Sequence, residues 1–232
     1  MKVSVIVFPG SNCDRDAAYV TRDLLGQPTH LVWHEDSDLQ QADLVIVPGG
    51  FSYGDYLRCG AIARFAPAIQ ATIAHAQRGG LVLGICNGFQ ILTEAGLLPG
   101  ALVRNRDLHF ICDRQPLRVE RTDLVWTQEY ADQAVITLPI AHGEGCYYAD
   151  PATLQTLEDN RQVVFRYSAA TGETTPIANP NGSLHHIAGI CNREGNVLGM
   201  MPHPERAADS LLGNTDGLAL FKSVVAAQLQ RA

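Results

Sequence analysis

The 232-residue chain is 46% hydrophobic and 18% charged, enough apolar matter for a sizeable core, and its balance excludes disorder and collagen. Seventeen basic against 24 acidic residues give a formal charge of −7, which argues against nucleic acid as a partner. No apolar run nears the ~18 residues needed to cross a bilayer, six cysteines lack any C-x-x-C spacing, and no signal peptide is visible, so a cytoplasmic protein with free thiols and no membrane association is expected.

Val3 to Phe8 is a short apolar run suited to a strand buried on both faces. Asp14 to Leu25 then has helical spacing and stops at Gly26. Thr29 to Trp33 and Leu44 to Val47 read as the next strands, followed by the glycine-rich loop Pro48 to Asp55. Helical sequence is expected from there to about Gln77, restarting at Pro67, which suits a first-turn position. Leu81 to Ile85 is another buried strand, and Asn87 to Ala95 a helix closed by Gly96.

Strand, loop and helix in alternation predict an α/β fold: a doubly wound, mostly parallel sheet with helices on both faces and ligand sites at the carboxyl ends of its strands. The second half is richer in strands, at Leu117–Val119, Ala134–Ile140, Val163–Tyr167, Ile187–Cys191 and Val197–Met201, with a hairpin turn at Glu194-Gly195-Asn196. Gly217 to Leu229 would be the terminal helix, and with no repeat or linker a single domain over 1–232 is expected.

The sharpest local feature is Gly84-Ile85-Cys86-Asn87-Gly88, where a buried strand runs straight into a helix. This is a nucleophile elbow with cysteine in the position serine takes in hydrolases. Small residues at −2 and +2 let the turn pack tightly, and the helix amino terminus favours thiolate. The other five cysteines lack this context and read as small apolar residues. A nucleophilic thiol needs a base. In Met201-Pro202-His203-Pro204-Glu205, the following proline favours an extended backbone at His203, which puts His203 and Glu205 on one side. His142-Gly143-Glu144 offers the same spacing with a flexible centre, so the proline-bounded pair is favoured as base and orienting carboxylate. The Gly49-Gly50 amides, on the same sheet edge, are placed to join the Asn87 N–H in an oxyanion hole. Neither a P-loop nor G-x-G-x-x-G is present, so ATP binding has no local support. No local spacing gives a metal site; His185-His186 reads as structural, and the arginines from Arg104 to Arg121 as a solvated surface or docking face.

Gly84 to Gln90 together with His203-Pro204-Glu205 resembles the class I, triad-type glutamine amidotransferases. Longer stretches narrow the likeness: Gly10-Ser11-Asn12-Cys13-Asp14, Pro48 to Arg58, Pro139 to Gly145, Asn179 to Ser183 and Gly199 to Arg206. They are similar to the family of small glutaminase subunits of phosphoribosylformylglycinamidine synthases, over essentially the whole chain. The resemblance implies a flavodoxin-like fold and a step of purine synthesis. Glutamine is hydrolysed, and its ammonia goes to a large synthetase subunit that uses ATP and Mg2+ to aminate formylglycinamide ribonucleotide. A small third subunit completes the complex, and this subunit needs no cofactor or metal. By the same resemblance Cys86 is nucleophile, His203 acid and base, and Glu205 its orienter. Gly50 and Asn87 supply oxyanion N–H groups, and Gln90 lines the glutamine site. Two alternatives stand beside this: another cysteine hydrolase of the same fold, such as a γ-glutamyl hydrolase or a PfpI-like protein, and a catalytically silent docking subunit. PfpI-like proteins place histidine directly after the cysteine, where this chain has Asn87, and an intact triad opposes a silent role.

Overall fold

The apolar runs become strands because both of their faces are covered. In the computed structural model, which describes residues 1–231, the first half alternates β1 (Val3–Val7), α1 (Asp14–Ala18), β2 (Thr29–Trp33), β3 (Leu44–Val47), α2 (Pro67–Gln77), β4 (Leu81–Ile85) and α3 (Asn87–Glu94). The second half adds β5 (Ala101–Val103), β6 (Ile111–Val119), β7 (Val135–His142), β8 (Cys146–Tyr148), α4 (Pro151–Asp159), β9 (Val163–Tyr167), β10 (Ile187–Cys191), β11 (Val197–Met200) and α5 (Leu218–Arg231). Every residue of β3, β4, β10 and β11 is buried. No helix among the described residues is long and apolar enough to cross a membrane.

The main sheet has the order β2-β1-β3-β4-β11-β10-β9-β6-β7, and β5 pairs separately with β8. From β2 to β11 every neighbouring pair is parallel; from β11 to β7 every pair is antiparallel. The sheet is therefore doubly wound in its parallel half and extended by antiparallel strands, since the tight turn between β10 and β11 permits only an antiparallel pair. β1 crosses outward to β2, while β3 crosses the opposite way to β4. The winding thus reverses between β1 and β3, and the loops leaving those strands, at Pro9–Cys13 and Pro48–Asp55, flank the crevice where doubly wound sheets bind ligands.

Several elements differ from the sequence expectation. Past Ala18 the first helix widens into π turns over Tyr19–Leu24, where the Thr21 hydroxyl donates back to the Ala17 carbonyl at 2.9 Å. The expected helix after Asp55 is a turn-rich loop: Leu57 and Gly60 have positive φ, and regular α-helix begins only at Pro67. β6 starts at Ile111, ahead of the apolar Leu117–Val119, because β7 pairs with its polar first half. β5, β8 and α4 were not expected at all.

Candidate active site

Gly84 of β4 lies in register with Val47 of β3 and Gly199 of β11. Two residues on, the chain turns directly into α3, and Cys86 at the corner takes φ 52° and ψ −107°. L residues avoid that region, which costs ~1–3 kcal/mol and persists only where the surroundings hold it. Here the Cys86 N–H donates to the Met200 carbonyl at 2.8 Å. The flanking glycines let α3 approach the sheet. A Cβ on Gly88 would overlap the Val47 carbonyl, and one on Gly84 would lie 2.8 Å from the Gly88 carbonyl oxygen.

His203 arrives from the neighbouring strand, three residues beyond the end of β11. It is extended (φ −103°, ψ 90°), as the proline context predicts, and its N–H donates to the Pro139 carbonyl of β7 at 2.8 Å. The imidazole is 1% exposed, with Nδ1 2.6 Å from Glu205 Oε1, while Nε2 has no partner among the described residues. A Cβ on Gly49 would lie 2.8 Å from His203 Cε1 and 3.3 Å from Cys86 Cβ, so the two side chains meet over that glycine. Burial opposes charge on His203, yet the Glu205 carboxylate, and after it Cys86, hold its pKa well above the ordinary histidine value. The Cys86 thiol, at the amino terminus of α3, donates to the Ala141 carbonyl at 3.7 Å.

The rival pair does not assemble. His142 turns its Nδ1 to Asn105 Oδ1 at 3.1 Å, and burial, then the nearby His203, push its pKa down to about 4. The Glu144 carboxylate points instead to Arg104 at 3.8 Å.

Gly50 (φ 139°) is pressed against the loop after β1. The Phe51 N–H donates to the Gly10 carbonyl at 2.9 Å and the Asn12 N–H to the Gly49 carbonyl at 3.3 Å, which leaves the Gly50 N–H without an acceptor among the described residues. The Asn87 N–H is the first of α3, one of the amides a helix leaves unpaired. Gly50, Cys86 and His203 line a pocket of about 100 Å³ together with Phe51, Phe110, Ala141 and Arg206. The Asn87 and Gln90 side chains stand outside this lining. Asn87 Oδ1 accepts from the Ser52 N–H at 3.1 Å, its Nδ2 donates to Gln90 Oε1 at 2.9 Å, and Gln90 Nε2 donates to the Glu144 carbonyl at 2.6 Å. They tie α3 to the loops on either side. A much larger hollow, about 980 Å³, opens at the far end of β4 beside Leu81 and Asn196 and lies away from the elbow.

Sequence reasoning missed Cys13, taken for a small apolar residue. The thiol lies 3.8 Å from His203 Nδ1, receives a hydrogen bond from Arg206 Nη2 at 2.9 Å, and is pushed up in pKa by burial. Likewise, the expectation of no metal-ligand cluster holds only for local spacing, because the fold carries Cys13 across 190 residues to His203 and Glu205. The signal was its place in the loop after β1, on the same sheet edge as the elbow. The arginine stretch is an ion-paired surface: Arg118 and Arg166 share Glu120, and Arg121 pairs with Asp123 at 2.7 Å. His185 pairs with Glu158 at 2.8 Å, a structural role as expected.

A thiol at a strand–helix elbow, near a buried His–Glu pair on a sheet of this winding, is an arrangement that suits a glutamine amidotransferase. The chain belongs to the CobB/CobQ-like glutamine amidotransferase family, whose domain matches residues 1–218. Within it, the chain is 71% identical over 225 residues to the phosphoribosylformylglycinamidine synthase subunit PurQ of Acaryochloris marina, covering 97% of this chain and 96% of that one. It is 70% identical over 229 residues to the same subunit of Gloeobacter violaceus, covering 99% of each. Among solved structures, PurLQS from Thermotoga maritima superposes with a TM-score of 0.86 at 42% identity, over 98% of both chains. The Trypanosoma brucei CTPS glutaminase domain with bound acivicin shares the fold, at 14% identity and a TM-score of 0.59 over 97% of this chain and 94% of that one.

Proposed function

We propose that this chain is the glutaminase subunit of a phosphoribosylformylglycinamidine synthase, working in the cytoplasm. The observation that carries the chemistry is the strained Cys86 corner beside the buried His203, whose Nδ1 is held 2.6 Å from Glu205. The Cys86 thiolate attacks the side-chain amide carbon of glutamine, and the Gly50 and Asn87 N–H groups receive the oxyanion, a single such donor being worth ~2.7–4 kcal/mol. His203, protonated at Nε2, gives that proton to the departing ammonia and leaves a thioester on Cys86. Water, deprotonated by His203, then cleaves the thioester to glutamate and regenerates the thiolate. Glu205 holds the ring orientation and balances its charge throughout.

The ammonia passes to a large synthetase subunit that uses ATP and Mg2+, with a small third subunit completing the complex. The exposed apolar rings of Phe51 and Phe110, which line the pocket, suit a face covered by such a partner. No metal or cofactor takes part in the glutaminase step, so prolonged chelation should not lower its turnover. The test is glutamate release from glutamine by the full chain, alone and with the synthetase partner. Turnover should rise when the partner is added and vanish in Cys86→Ala; release that survives Cys86→Ala would overturn the reading.

A further inference from the structure

On the Nδ1 side of the His203 ring, potential metal ligands converge. Cys13 Sγ, His203 Nδ1 and a Glu205 carboxylate oxygen lie within 4.8 Å of one another, and all three residues are buried. The 3.8 Å from Cys13 Sγ to His203 Nδ1 is close to the ~3.3–3.7 Å edge of a tetrahedron built on metal bonds of ~2.0–2.3 Å, whereas the 2.6 Å from Nδ1 to Glu205 Oε1 is a hydrogen bond that an entering ion must replace by turning the carboxylate. The other Glu205 oxygen, Oε2, is buried without a partner among the described residues, an arrangement proteins avoid unless something meets it.

We propose that Cys13, His203 and Glu205 form a site for a divalent cation of the zinc class, and that an ion bound there switches the glutaminase off. A thiolate, an imidazole and one carboxylate favour zinc over magnesium or calcium. The two anionic ligands neutralise the dication. Arg206 Nη2, 2.9 Å from Cys13 Sγ, supplies an outer hydrogen bond to the thiolate, and Asp16, 3.4 Å from Arg206 Nε, balances the guanidinium. Binding releases the Cys13 S–H proton and the His203 Nδ1 proton to solvent. A metal on Nδ1 leaves the ring with its Nε2 proton and no free lone pair, so it no longer takes a proton from Cys86 or from water. Glu205, now a ligand, no longer orients it. Metal here is an inhibitor, in keeping with a glutaminase step that requires none.

The experiment titrates the full chain with Co2+ and follows the thiolate-to-cobalt charge-transfer absorption. We expect the band in the native chain and in Cys86→Ala, its bleaching when Zn2+ displaces Co2+, and its loss in Cys13→Ala and Cys13→Ser, since Cys13 is the only thiolate among the three ligands. Should Cys13→Ala fail to fold, Cys13→Ser retains the size and hydrogen bonding of the side chain and decides alone. In parallel, Zn2+ should block alkylation of Cys86 by a glutamine-analogue electrophile in the native chain, and a chelator should restore it. No band at stoichiometric Co2+ overturns the proposal. So does a band that survives Cys13→Ser and disappears in Cys86→Ala, which would place the ion at the elbow thiol. The cobalt readout needs no turnover, so this site and the glutaminase reading fail separately.

Discussion

Replacing Glu205 with glutamine keeps the shape of the triad and removes one charge. The native Oε1 lies 2.6 Å from His203 Nδ1 and both side chains are buried, so the hydrogen bond is charge-assisted and shielded from solvent. Such a bond is worth ~1.5–3 kcal/mol, or roughly one to two decades of rate at ~1.36 kcal/mol per decade. A second loss arises when the glutamine turns its NH2 toward Nδ1: it then donates, forces the other tautomer, and in Ser-His-Asp triads the equivalent change costs ~10⁴. The expected fall in kcat for glutamine hydrolysis is thus roughly 10²–10⁴-fold. KM should hardly change, because Glu205 is absent from the pocket lining. The pH profile is an independent readout. Burial pushes the His203 pKa down and Glu205 more than offsets it, so losing the carboxylate moves the alkaline limb of kcat/KM to lower pH. Initial rates of glutamate release by the complex, measured across the neutral range for native and variant chains, check both. Near-native turnover with an unmoved alkaline limb would refute the reasoning, as would finding these losses in His142→Gln instead.

His142 titrates at about 4 in the folded chain because burial, then His203, disfavours its charge, against ~6.5 unfolded. The unfolded chain therefore gains the proton first, and stability should fall by about 3 kcal/mol as pH drops from ~6.5 to ~4. Urea unfolding of His142→Gln should lose that part of the slope; an unchanged slope would show that His142 is not the source. A glutamine-analogue electrophile at low concentration should label Cys86 before Cys13 or Cys59, whose thiols burial pushes up, and equal labelling in peptide maps would undo the elbow argument. Gly88→Ala drives a methyl into the Val47 carbonyl and should cost at least about 1–3 kcal/mol in chemical denaturation, whereas a native midpoint would mean α3 slides freely.

The centre of the parallel half of the sheet was legible in the sequence because β3, β4 and β11 are buried on both faces and read as short apolar runs next to glycine or proline, whereas the edge strand β2 is largely exposed. Cys86, His203 and Glu205 were legible for a related reason: each sits where a strand has just ended, and glycine or proline spacing fixes the local backbone. What stayed hidden depends on partners distant in the chain. The polar start of β6 is a strand only because β7 pairs with it from Ile111↔His142 to Arg118↔Val135. Cys13 has an unremarkable neighbourhood in sequence, and only the close approach of the Pro9–Cys13 loop to Gly49 brings it to the imidazole. The helix α4 is a different case. Asp150 accepts from the Ala152 and Thr153 N–H groups and Pro151 opens the first turn, so its start signal is present in the sequence itself.

The backbone corner at Cys86 sets reactivity against folding stability. At φ 52° and ψ −107° a Cβ of any kind is strained, so alanine or serine inherits the cysteine's penalty and glycine alone escapes it. The usual ranking, in which glycine is the less stable of two small residues, should invert here. Cys86→Gly should melt above Cys86→Ala while both are inert as glutaminases. Random drift under selection for stability alone would then carry this position to glycine, and the thiol persists only while its chemistry is needed.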